Sequence, residues 1–123
     1  MSFALYVAAA LLIACGFAHS YLGERYILIR LFRRDNLPKL FGDTWFTKRT
    51  LRFAWHLTSV AWIGFAGILV LLARPPLNAV AIARVVAVVF LLHSAIALVT
   101  SHGKHLSWLL FLAVGVLTLL TTL

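Results

Sequence analysis

Hydrophobic residues occupy 63% of 123 positions and charged residues 11%, against roughly 45–50% and about 25% in soluble domains, so a water-soluble fold would lack a surface. The composition excludes a soluble globular domain and indicates an integral membrane protein. The formal charge of +8 reads first as a topology signal, and contact with anionic lipid headgroups explains it more simply than nucleic acid does.

Apolar runs at Phe3–Leu22, Phe53–Leu72, Val80–Val99 and Leu106–Leu123 each approach the roughly 20 residues that carry a helix across a bilayer core of about 30 Å. They predict an all-α, polytopic protein, a four-transmembrane-helix bundle running up-down-up-down, with residues 1–123 as one domain. In span one, Leu12-Ile13-Ala14-Cys15 looks like a lipoprotein cleavage box. No Lys or Arg precedes it as a secretory signal requires, so the span is expected to be retained. Gly16, Ser20 and Gly23 fall near one face with His19, where small residues let a neighbouring helix or a flat cofactor approach.

Residues 25–52 form a basic interfacial segment. Its first part mixes Ile27, Leu28, Ile29 and Leu31 with Arg25, Arg30, Arg33 and Arg34, reading as an extension of span one or an interfacial helix. Asn36-Leu37-Pro38 is expected to end it. Gly42-Asp43-Thr44 reads as a turn before a new helix, with Asp43 or Thr44 as cap. Trp45, Trp55 and Trp108 are expected to form an interface belt. Gly64 and Gly67 mark a close crossing, and Arg74-Pro75-Pro76 stops span two. The short turn Ser101–His105 makes spans three and four antiparallel neighbours, with the last span serving as packing.

Of the eleven basic residues, Arg25, Arg30, Arg33, Arg34, Lys39, Lys48, Arg49, Arg52 and Lys104 lie in the first and third connections, and only Arg74 and Arg84 flank the second. Basic short connections stay inside, so both termini are expected outside a cell inner (plasma) membrane.

Histidines carry the functional expectation. Counting from mid-span at about 1.5 Å per residue, His19 lies about 10 Å, His56 about 9 Å and His93 about 5 Å toward the basic side, with His105 about 14 Å out. Ionisable groups inside a membrane generally mark a site or a buried pairing. The expected centre is therefore haem b or a transition-metal ion, copper, zinc or iron, ligated by His19, His56 and His93, with His105 and Glu24 as further ligands. Ser20, Ser59 and Ser94 are candidates to orient the rings, and Arg25, Arg52 and Lys104 to meet propionates. Electron transfer or metal handling would follow, with Glu24 the one evident base for catalysis. The alternative is a small channel, transporter or accessory subunit whose histidines carry protons or brace helices. Association into a homo-oligomer or a larger membrane complex is compatible with either.

Overall fold

The computed structural model describes residues 2–123. Helix α1 spans Ser2–Leu31, α2 Trp45–Leu72, α3 Ala79–Ser101 and α4 Ser107–Leu120. The described residues form no strand beyond an isolated bridge between Leu40 and Asp43. The first three helices are long and apolar enough to cross a membrane. At 14 residues, α4 covers about 21 Å at about 1.5 Å per residue, short of a full bilayer core. The expected Leu106–Leu123 helix is cut back where Thr121 and Thr122 turn their hydroxyls onto Thr118 O and Leu119 O, at 2.7 and 2.8 Å. Such local bonds compete with helical ones.

Helix α1 runs on past the apolar stretch and changes pitch over Gly23–Leu28, where the bonding widens to a π-helix. The Ile29 N–H accordingly reaches back to Glu24 O. One consequence is a shift in which residues face inward: Gly23 and Leu28 are buried, whereas Tyr26 and Ile27 are exposed. The helix stops at Leu31, ahead of Asn36-Leu37-Pro38, because Arg33 N and Arg34 N close short bonds onto Arg30 O and Leu31 O. Helix α2 opens at Trp45, directly after the Gly42-Asp43-Thr44 turn and eight residues ahead of the apolar run, with Asp43 Oδ1 accepting from Trp45 N at 2.6 Å. The turn before α4 places His102 and Gly103 in the left-handed region, φ 51° and 77°, and Gly103 N bonds Leu98 O at 2.9 Å. That pattern satisfies a carbonyl left open at the end of α3.

Consecutive helices run antiparallel, and backbones approach closely only in chain order: α1 with α2, α2 with α3, α3 with α4. Glycines set each spacing. Gly16 faces Ser59 and Ile63 across α1–α2, Gly64 and Gly67 face Val89 and Val85 across α2–α3, and Gly115 faces Leu91 across α3–α4. Phe53, Leu57 and Ala97 form a small core, against which Ile96, Trp108 and Phe111 pack.

Two of these glycines give a paired test. A Cβ at Gly64 would collide with Val89 Cγ2, while one at Gly67 would meet Val85 at an ordinary 3.5 Å. Alanine improves helix propensity by up to about 1 kcal/mol, and overpacking a rigid contact costs about 1–3 kcal/mol. Gly67→Ala is therefore expected to hold or raise the Tm in detergent, and Gly64→Ala to lower it.

Candidate functional site

The site begins with the fit of one aromatic ring into one glycine. A Cβ at Gly23 would overlap the indole of Trp55, so only glycine leaves room for that ring against α1. From there Trp55 Nε1 donates to His19 O at 3.0 Å. The Trp55 and His19 rings stack in parallel at 4.5 Å, and Trp62 leans on His19 at 4.8 Å. Trp55 is thus an interhelical packing residue. Its spacing from Trp62 carried the signal, since positions seven apart lie on one helical face.

The same contact brings the polar residues of both helices together. Ser20 and Glu24 are one turn apart on α1, as Arg52 and His56 are on α2, a spacing that aligns side chains on a helix. Ser20 Oγ lies 2.7 Å from Ser59 Oγ and 2.9 Å from His56 Nδ1. His56 Nε2 lies 3.2 Å from Glu24 Oε2. Arg52 forks onto the same carboxylate, Nη2 to Oε1 at 2.9 Å and Nε to Oε2 at 3.2 Å. Burial deepens along the chain, from Arg52 at 47% exposed through Glu24 and His56 at 31% to Ser59 at 5%. A pair this accessible contributes at most about 1 kcal/mol to stability, so its main effect is orientation.

Proton accounting shows what the chain can do. A hydroxyl donates once and accepts, and neutral imidazole does one of each. With Glu24 ionised and His56 neutral, Nε2–H donates to Glu24, Nδ1 accepts from Ser20, and Ser20 accepts from Ser59. One added proton, held on Glu24 or shared as imidazolium, puts a hydrogen on Nδ1 and reverses both hydroxyl bonds. Serine, histidine and carboxylate also occur in the order of nucleophile, base and orienting group. Ser20 nevertheless lies within a helix, whose backbone N–H groups are engaged in its own bonds and so do not serve as oxyanion donors.

The remaining candidates lie elsewhere. His93 is buried with Nδ1 2.6 Å from Val89 O and Nε2 3.1 Å from Leu57 O, a brace between α2 and α3. His105 Nδ1 meets Ser107 Oγ at 2.7 Å, and its ring lies beside Phe53. Ser94 donates to Trp108 O at 2.8 Å. Arg25 donates to Tyr21 Oη at 2.9 Å, and Lys104 Nζ sits over Trp45 at 4.9 Å. His19 is the exception among the rings: its Nε2 is enclosed and has no hydrogen-bond partner. Among the described residues no three His, Cys, Asp or Glu side chains gather to hold a metal. Equal depth brings rings to one level but does not fix which way each helix turns them.

Truncation at Trp55 separates its two roles. Trp55→Ala is expected to cost about 3–5 kcal/mol by opening a cavity. Trp55→Phe, which keeps a ring but loses the bond to His19 O, costs about 1 kcal/mol. Unfolding in mixed micelles measures both. Compared with protein-family models, curated proteins and solved structures, the chain has no significant match in any of the three.

Proposed function

We propose that this chain is a small proton-handling protein of the inner membrane, a proton-linked transporter or accessory subunit whose working part is the Glu24–His56–Ser20–Ser59 relay. In this reading the four helices form an up-down-up-down bundle, with the short α4 completing the fourth pass through its flanking turns. The basic connections lie on the cytoplasmic side against anionic headgroups, and both termini lie outside. Glu24 then takes protons at the cytoplasmic edge, and the relay carries their effect toward mid-membrane.

One observation carries the proposal: four side chains from two helices join in an unbroken series of hydrogen bonds, 2.7 to 3.2 Å long. Its buried end supports a binder or coupling element over a channel. Ser59 is 5% exposed, and among the described residues its Oγ bonds Ser20 alone, so the polar series ends there. A second reading, a haem or a bare ion, keeps the enclosed His19 Nε2 as its support. A Soret band or near-stoichiometric metal, lost in His19→Ala, would favour it.

Infrared difference spectra on the protein in lipid test the relay. Acidification is expected to change the imidazole bands of wild type, and Ser20→Ala and Glu24→Gln each to shift the His56 component. A His56 component indifferent to both substitutions contradicts the relay. In vesicles given an acid jump, the dead end at Ser59 predicts proton entry no faster than in protein-free vesicles.

A further inference from the structure

The first turns of α2 and the turn between α3 and α4 meet on one indole. Lys104 Nζ stands 4.9 Å from the centre of the Trp45 ring and Arg49 Cζ 5.3 Å, and the exposed His102 ring lies 5.2 Å from it. Neither cation has a carboxylate partner. Among the described residues every ion pair ends on Glu24, and Asp43, two residues ahead of Trp45, is engaged as the cap of α2. Cations drawn to the same ring repel each other, so an anion that touches both relieves the repulsion. Both side chains are exposed, and an anion reaches them from outside. Their backbone is fixed beforehand. Trp108 Nε1 donates to Gly103 O at 3.3 Å, and Lys104 N to Ser101 O at 3.1 Å. Arg49 Nη1 donates to Thr100 O at 3.3 Å, which engages one of the five N–H groups of the guanidinium.

A second observation lies beside the cations. The chain turns through Phe41 at φ 57°, in the left-handed region that a bulky side chain rarely adopts. Leu40 N closes this turn onto Asp43 O at 2.9 Å. Its product is a ring that is 75% exposed, with Lys104 Nζ 5.7 Å from its centre. Strained backbone of this kind gathers at ligand clamps. Leu40 and Leu106, close in sequence to Phe41 and Lys104, are exposed as well. Unpaired cations set among exposed apolar groups match a phospholipid at the membrane edge better than a phosphate free in water.

We infer that Arg49 and Lys104 form a site for the phosphate of one anionic phospholipid, with Phe41 seated among its acyl chains. The guanidinium fork meets two phosphate oxygens, and the ammonium adds a point charge. A choline headgroup would bring its own cation toward both, so a headgroup without one is preferred. The inference rests on the proposed placement of the basic connections at an anionic membrane edge and is independent of the relay.

Phosphatidylglycerol and phosphatidylcholine with the same chains are titrated separately into protein in neutral detergent, and native mass spectrometry follows the first lipid bound. Wild type is expected to bind phosphatidylglycerol about tenfold more tightly than phosphatidylcholine. Arg49→Gln with Lys104→Gln weakens the first phosphatidylglycerol about tenfold, whereas Arg33→Gln with Arg34→Gln, which removes the same charge elsewhere, changes it less than about twofold. Arg49→Lys with Lys104→Arg, which keeps both charges, retains most of the binding and shows that the loss is not one of folding. Phe41→Ser weakens the lipid, and inorganic phosphate at the lipid's concentration does not displace it from wild type. Equal loss in the two neutralised pairs overturns the inference while leaving the membrane placement standing. Wild type without preference for phosphatidylglycerol overturns both. Displacement by an equal concentration of inorganic phosphate assigns the site to a soluble anion and overturns the inference too.

Discussion

The indole of Trp55 seated in the notch left by Gly23 is the contact on which the site depends. It fixes the spacing of α1 and α2 where any larger side chain would push them apart. It also binds the His19 carbonyl and stacks on the His19 ring. With that spacing set, Ser20 and Glu24 reach His56. Association of helices in lipid rests on close packing and interhelical hydrogen bonds, because burial from water supplies no driving force there. A glycine that admits a large ring supplies the first of these, and the serine and histidine bonds supply the second.

The π-helical stretch Gly23–Leu28 follows directly on this contact. Wider turns of this kind are rare and recur at functional sites. Here the stretch begins at the notch and contains Glu24, so the carboxylate leaves the helix at the place where the register changes. Arg52, forked on one side of Glu24, and His56, on the other, then compete for the same oxygen, Oε2. A proton arriving at the carboxylate therefore alters an ion pair at the surface and a hydroxyl chain in the interior together. On the proposed reading, that joint response is how an event at the membrane edge reaches the α1–α2 interface.

Much of the helical layout was legible in the sequence, because apolar runs of about twenty residues, the Pro75-Pro76 stop and the Asp43 cap are local signals. The helix-packing glycines were legible for the same reason. The extension of α1 to Leu31 was foreseen as one of two options, and the opening of α2 at Trp45 followed from the Gly42-Asp43-Thr44 turn, although the apolar run itself begins only at Phe53. The site was legible in part. Ser20, Ser59, Glu24, Arg52 and His56 were all singled out, as members of a cofactor site, and they meet in one hydrogen-bonded series between α1 and α2. Depth along a helix follows from counting, but rotation about its axis follows from packing, and packing turned His93 toward the carbonyls of Val89 and Leu57. The contact of Trp55 with α1 was not read from the sequence, because tryptophan near a helix end is usual at a membrane interface and nothing in its local sequence reveals a glycine on another helix.

Nitrogen resonances of the imidazole rings in histidine-labelled protein, held in lipid and followed from alkaline to acidic pH, test the central claim most directly. The account predicts that neutral His56 carries its hydrogen on Nε2, toward Glu24, and that acidification adds one to Nδ1, in step with a change at the Ser20 and Ser59 hydroxyls. A neutral His56 with its hydrogen on Nδ1, or nitrogens bearing the signature of a bound metal, would contradict it.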